Sequence, residues 1–106
     1  MRVDIGNKKL FASILERFFP RIEFHEINGL SIDSRKIEEG DIFLPLIGNT
    51  LDGHQFAKQA ESLGASMIFV EKNVDISIPK HIVQSTKKLF YDFIREYRNK
   101  LTYPFI

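Results

Sequence analysis

Two apolar runs, Ile42–Ile47 and Ala65–Val70, the second broken only by Ser66, constrain the fold of this chain more than any other feature. A run of this length without alternating polar residues is typical of a strand that is buried on both faces. Between the runs, a helix pattern begins after Asp52, a good N-cap residue, and ends at Gly64, which suits the left-handed C′ position. A helix followed directly by a buried strand indicates a crossover unit, which pairs its strands in parallel.

The remaining segments predict two more helices and a set of shorter strands. Apolar residues on one helix face indicate helices over Lys8–Phe18 and Thr86–Lys100. Short strands are predicted within Arg21–Ile27 and Leu30–Asp33, and another after the proline of Ile76–Val83. With 106 residues, we predict a single small α/β domain. Its sheet is mixed or partly parallel, with about four to five strands flanked by about three helices.

Several local signals refine these elements. Pro45 cannot donate to a strand ladder, so we expect an edge position or a bulge there. Ser85 can cap the last helix, and Gln55 stands in capping-box position relative to Asp52. The buried face predicted for the helix after Asp52 consists of Phe56, Ala57, Ala60 and Leu63.

Composition and charge exclude several classes of function. Fifteen basic and fourteen acidic residues leave a net charge of +1, without the clustered basic field that nucleic-acid binding needs. The chain has no cysteine, which excludes disulfides and thiolate sites and fits a reducing cytoplasm. No window approaches the ~20 apolar residues of a membrane span. His25, His54 and His81 lack metal-ligand spacing, so no metal site is predicted.

Polar turns lie on both sides of the first apolar run. Asp33-Ser34-Arg35 precedes it, and a loop from Gly48 to His54 follows it. Two such loops flanking one strand can bring backbone donors and a serine hydroxyl to the same strand end. This arrangement suits a small polar ligand better than a packed core.

The motifs resemble the N-terminal domain of the Mur ligase family in order and spacing, roughly from Leu30 to Glu71. The matching residues are Asp33-Ser34-Arg35, Gly40-Asp41-Ile42-Phe43, Gly48, Asp52-Gly53-His54, Phe56 and Gly64-Ala65. Members of this family add amino acids or dipeptides to UDP-N-acetylmuramic acid (UDP-MurNAc) during bacterial peptidoglycan synthesis. The resemblance implies a cytoplasmic ligase whose partner is a UDP-MurNAc-peptide.

Two branches of the family carry this pattern. Phe43–Leu46 and the segment from Phe90 to Ile106 resemble the MurF type, which adds D-alanyl-D-alanine to UDP-MurNAc-tripeptide. The MurE type, which adds diaminopimelate or lysine, is the first alternative. A non-catalytic α/β protein-interaction module is the second.

The resemblance also implies what this chain lacks. Family members continue into a Thr-Gly-x-x-Gly-Lys-Thr/Ser phosphate loop, which does not occur in these 106 residues. We therefore expect residues 1–106 to be a substrate-binding domain without catalytic residues or a cofactor of its own, inactive alone. ATP and Mg²⁺ belong to the full-length enzyme, whose ATP-binding and C-terminal domains are missing here.

By resemblance, six residues meet the uridine diphosphate of the substrate: Ile32, Ser34, Gly48, Asn49, Thr50 and Leu51. Uracil presents two carbonyl acceptors and one N–H, which backbone groups and one hydroxyl can satisfy. The alternative for Ser34 is a turn hydroxyl bonded to its own backbone, and for Asn49 and Thr50 a surface loop.

Six further residues of the motif are assigned structural roles: Asp33, Arg35, Asp41, Asp52, Gly53 and His54. We expect Asp33 to cap backbone N–H groups of its turn. Arg35 is expected to pair with Asp41 or Asp52, although it can also attract a pyrophosphate. His54 is expected to pack at the start of the helix, since no nucleophile or partner carboxylate for catalysis is evident.

Overall fold

Strand β3 (Ile42–Phe43) lies in the middle of a five-stranded sheet built by residues 2–22 and 27–102, which the computed structural model describes. The strand order is β1-β2-β3-β4-β5. The other strands are β1 (Arg2–Asp4), β2 (Gly29–Ser31), β4 (Met67–Val70) and β5 (Lys80–Ile82). Within the described residues the helices are α1 (Lys8–Phe18), α2 (Ala57–Ser62) and α3 (Thr86–Thr102).

The sheet is mixed, as predicted. Strand β1 pairs with β2 antiparallel, whereas the β2–β3, β3–β4 and β4–β5 pairs are parallel. The carboxyl ends of four strands therefore meet at one edge of the sheet. The turns that follow β2 and β3 leave from this edge, which is where ligands bind in open α/β sheets.

The apolar character of β4 follows from helices on both faces of the sheet. Met67 and Phe69 belong to a core with α1 and α3, and Ile68 and Val70 to a second core with α2. Because successive side chains of a strand point to opposite faces, burial on both sides requires an apolar residue at every position. The prediction of a strand buried on both faces is confirmed, although β4 begins at Met67.

Aromatic rings fill the core between α1 and α3. Phe11 contacts Phe93 and Tyr97 edge to face, with ring centroids 6.1 and 5.3 Å apart. The hydroxyl of Tyr97 accepts a hydrogen bond from the N–H of Asn7 at 2.8 Å, so this buried polar atom is satisfied. Such edge-to-face pairs hold the two helices in one register.

Several predicted strands differ in length. The run at 42–47 forms a strand only over Ile42–Phe43, and Pro45, which has no N–H for the ladder, follows the strand end. The expected edge position or bulge at Pro45 is wrong, because β3 is the middle strand and ends before the proline. The strand predicted at 30–33 covers Gly29–Ser31. Residues 23–26 of the strand predicted at 21–27, and the apolar run at 103–106, lie outside the described residues. Strand β1 was not predicted.

The predicted helix after Asp52 is divided into a 3₁₀ turn over Gly53–Phe56 and the α-helix α2. Gly64 adopts a φ of +102°, which confirms its left-handed position after the helix. The expected buried face is only half correct. Ala57 and Ala60 are buried, but Phe56 and Leu63 are 36% and 43% exposed.

No helix in residues 2–22 and 27–102 combines the length and the apolar character that crossing a bilayer requires.

Candidate functional site

A cleft of about 550 Å³ opens at the carboxyl edge of β2 and β3. Three segments line it: the turn after β2, the end of β3 with the loop that follows it, and the start of the α2 region. The lining residues are Ile32, Asp33, Ser34, Arg35, Phe43, Leu46, Gly48, Leu51, Gly53, Phe56 and Gln59. We call this cleft the carboxyl-edge cavity.

The structure brings together four of the six residues assigned to the ligand. Ile32, Ser34, Gly48 and Leu51 all line the carboxyl-edge cavity, although they come from two loops. Asn49-Thr50 is exposed at the tip of the second loop and is not part of the lining.

The second loop is a tight turn. The N–H of Gly48 donates to the carbonyl of Leu51 at 2.8 Å, and Ile47 and Asp52 form an antiparallel bridge below it. A Cβ on Gly48 would lie only 3.3 Å from the Leu51 carbonyl oxygen, so a side chain fits poorly there. Leu51 is 61% exposed and offers an apolar surface at the cavity mouth.

Ser34 lies at the start of the 3₁₀ turn Ser34–Lys36 and is buried. Its hydroxyl donates to Oε1 of Gln59 at 2.6 Å, not to its own backbone. Gln59 was not identified from the sequence. Because the two residues are 25 positions apart and carry no motif in common, no sequence signal could have linked them.

Asp33 and Arg35 form a local pair across Ser34. The Asp33 carboxylate accepts from the backbone N–H of Arg35 at 3.0 Å and from its guanidinium at 3.0 and 3.1 Å. These hydrogen bonds, led by that of the guanidinium, lower the pKa of Asp33 to about 2. The expected pairing of Arg35 with Asp41 or Asp52 is wrong, because a partner two residues away is reached first. The Arg35 side chain is 80% exposed at the cavity rim.

Asp41 is paired with Arg2 instead. Its carboxylate is fully buried and accepts from Nε and Nη2 of Arg2 at 2.6 and 2.8 Å, and from the N–H of Glu38 at 2.9 Å. The hydrogen bond to this carboxylate raises the pKa of Arg2 above its ordinary value. The pair joins β1 to the turn that leads into β3, so Asp41 supports the sheet that carries the site.

His54 is buried and uses both ring nitrogens. Nδ1 is 2.7 Å from Oδ1 of Asp52, and Nε2 accepts the N–H of Glu71 at 2.9 Å. Nδ1 therefore carries the proton and donates to Asp52. The ammonium of Lys72, then the N–H of His54, hold the pKa of Asp52 well below its ordinary value. The imidazole connects the 3₁₀ turn to the end of β4 and has no nitrogen left for catalysis.

Within residues 2–22 and 27–102 no three His, Asp or Glu side chains are grouped to hold a metal ion.

Comparison with known proteins finds matches both in sequence and in structure. The family model described as "Mur ligase family, catalytic domain" matches residues 26–100. The diaminopimelate ligase of Listeria innocua (UDP-N-acetylmuramoyl-L-alanyl-D-glutamate--2,6-diaminopimelate ligase) is 43% identical over 63 residues, which are 59% of this chain and 13% of that protein. The same ligase of Bacillus cereus is 43% identical over 61 residues, 58% of this chain and 12% of that protein.

Solved structures agree with the fold. MurF from Acinetobacter baumannii matches 86% of this chain and 21% of its own, with a TM-score of 0.68 and 30% identity. MurF ligase from Thermotoga maritima, solved in complex with ADP, matches 63% of this chain and 16% of its own, with a TM-score of 0.58 and 30% identity. The chain thus spans about an eighth of the length of these curated relatives and between about a sixth and a fifth of these solved chains.

Proposed function

This chain belongs to the Mur ligase family, and we propose that it is the domain that binds the UDP-MurNAc-peptide substrate by its uridine diphosphate end. One observation carries the proposal: the turn of Ser34 and the turn of Gly48 and Leu51 line the same cavity. The two turns are separate in the sequence and converge only because β2 and β3 run parallel.

The cavity offers the groups that a pyrimidine nucleotide needs. Its volume of about 550 Å³ lies within the range of about 300–1,000 Å³ typical of ligand sites. Ile32 and Leu51 supply apolar surface for the two faces of the base, and Ser34 supplies a hydroxyl for its edge. The exposed guanidinium of Arg35 at the rim suits a diphosphate.

In the full-length enzyme, this domain would position a carboxylate far from the nucleotide that it holds. Binding energy collected at a remote part of a substrate assists the reacting centre by fixing its orientation. ATP and Mg²⁺ have no matching residues in this chain, because it contains no Gly-x-x-Gly-Lys-Thr/Ser loop, and we assign none to them. The domain alone would bind and not catalyse.

We further propose the MurF type, in which D-alanyl-D-alanine is joined to UDP-MurNAc-tripeptide in the cytoplasm. The match to MurF from Acinetobacter baumannii, which extends over most of this chain, supports it. The MurE type is the second candidate, favoured by the higher identity to the diaminopimelate ligases. Assaying a full-length enzyme that contains this domain with D-alanyl-D-alanine, diaminopimelate and lysine as acceptors separates the two types.

Titration of the ¹⁵N-labelled chain with UDP and UMP tests the binding function. We expect amide shifts confined to the turn of Ser34 and to Gly48–Leu51, with a Kd near 1 mM, which corresponds to about 4 kcal/mol. Ser34→Ala should weaken binding, and Ser13→Ala, on the exposed side of α1, should not. If no amide shifts at several millimolar UDP, the chain is better explained as a protein-interaction module.

A further inference from the structure

The hydrogen bond between Ser34 and Gln59 has a defined direction. The amide oxygen Oε1 of Gln59 carries no hydrogen, so the Ser34 hydroxyl must be the donor across the 2.6 Å separation. A hydroxyl has only one hydrogen to donate. Once this hydrogen is directed at Gln59, Oγ can offer other partners its lone pairs alone.

Both residues line the carboxyl-edge cavity, and Ser34 is 5% exposed. A ligand that reaches this oxygen therefore meets an acceptor in a confined place, where an unmatched polar group is costly. A ligand with an N–H at that point gains a hydrogen bond. A ligand with a lone pair there faces a second lone pair.

We propose that Gln59 is a positioning residue that sets the base specificity of this site. By holding the Ser34 hydroxyl as an acceptor, it selects a pyrimidine whose ring nitrogen N3 carries a hydrogen, which is uracil. Cytosine has an unprotonated N3 and is disfavoured. This inference rests on the proposed nucleotide-binding function and adds the residue that discriminates between the two pyrimidines.

The position of Gln59 is set by helix α2. Its backbone carbonyl accepts the N–H of Leu63 at 3.1 Å, and Ala57 and Ala60 bury the opposite face of the helix. Gln59 itself is exposed at the cavity wall. Substitutions there change the partner of Ser34 and leave the core intact.

Calorimetric titration of the 106-residue chain with UDP and with CDP tests the proposal. We expect the unmodified chain to prefer UDP by about tenfold, the value of one well-placed hydrogen bond. In Gln59→Leu the hydroxyl is free to turn and donate to N3 of cytosine, so the preference should fall to about threefold or less. Gln55→Leu, an exposed glutamine that does not line this cavity, is the matched control and should keep the preference.

Gln59→Glu provides the conservative rescue. Its carboxylate still accepts from the Ser34 hydroxyl, so the UDP-to-CDP ratio should be retained. The added negative charge weakens both diphosphates alike, and the ratio removes this effect. Amide spectra of the variants report whether each is folded like the parent chain.

The outcomes separate this inference from the binding function. If the unmodified chain binds neither nucleotide, the proposed function fails. If it binds UDP and CDP equally, or if Gln59→Leu keeps the full preference, UDP binding stands and the role of Gln59 is overturned. Loss of the preference in Gln59→Glu would equally contradict the acceptor role.

Discussion

The backbone of Gly53 lies directly against the backbone of Leu46. The N–H of Gly53 donates to the Leu46 carbonyl at 2.7 Å, and a Cβ on Gly53 would stand 2.9 Å from the Leu46 nitrogen. Only glycine permits this approach. The contact closes the base of the loop that presents Leu51 to the carboxyl-edge cavity.

Replacing Gly53 with alanine should therefore disturb both the fold and the site. We expect Gly53→Ala to lower the free energy of unfolding by about 1–3 kcal/mol, because backbone must shift to accommodate the methyl group. It should also weaken UDP binding, since Leu46 and Leu51 move with the loop. Urea denaturation and UDP titration measure the two effects. Gly6→Ala is the control, because a Cβ there has its nearest neighbour at 3.9 Å.

The buried pair of Arg2 and Asp41 should be costly to break. Asp41→Ala leaves the guanidinium of Arg2, which is only 13% exposed, without its main partner. Removing one member of a buried ion pair typically costs about 3–5 kcal/mol. Asp75→Ala removes a pair with Lys58 in which the carboxylate is 97% exposed, and should change stability by less than about 0.5 kcal/mol. Similar losses of stability in both variants would contradict the structural role assigned to Asp41.

Asp33 should stay ionised in acid. Its pKa in the folded chain is about 2, against an ordinary value of 3.8, because Arg35 donates to the carboxylate. A lowered folded pKa means that the ionised form stabilises the fold above about pH 4. This contribution is lost as the pH falls through about 2. The stability difference between the parent chain and Asp33→Asn should therefore vanish at the acid end.

An NMR titration of the Asp33 carboxyl carbon measures the pKa of Asp33 directly. Arg35→Gln should move the midpoint upward, toward the ordinary value of 3.8. Arg17→Gln, which removes an arginine paired with Glu96 on another face, should leave it in place. A midpoint for Asp33 that is unaffected by loss of Arg35 would refute the assigned cause.

His54 should prove structural. His54→Phe keeps an aromatic ring but leaves the N–H of Glu71 without its acceptor and Asp52 without one donor. The loss of two hydrogen bonds at a buried position predicts a destabilisation of about 2–4 kcal/mol by chemical denaturation. His81→Phe, at a half-buried position on the edge strand β5, should cost less than about 1 kcal/mol. Equal losses of stability in the two variants would mean that the hydrogen bonds of His54 add little to the stability of the fold.

Local chemistry made much of the fold predictable. The helix over Lys8–Phe18 and the cap of α3, in which the N–H of Lys88 donates to Ser85 at 3.1 Å, follow from spacing and capping within a few residues. The left-handed Gly64 follows in the same way. Each of these features is decided by neighbours in the chain.

The motif residues also indicated which loops line the candidate site, because turn chemistry and parallel pairing place loops at one sheet edge. The hydrogen-bond partners of some residues in those loops lie far away in the sequence. Asp41 bonds to Arg2 across 39 positions, and Ser34 bonds to Gln59 across 25. The helical face of Phe56 was likewise misjudged, since a 3₁₀ turn precedes α2.

Periodicity, caps and turns act through bonds between near neighbours, so the class of the fold and the loops that line the candidate site could be predicted from the residues alone. The directions of the hydrogen bonds in that site depend on which side chains the packed sheet and helices bring within 3 Å. They could not be predicted from the sequence, because a hydroxyl takes whichever acceptor the folded chain brings to it.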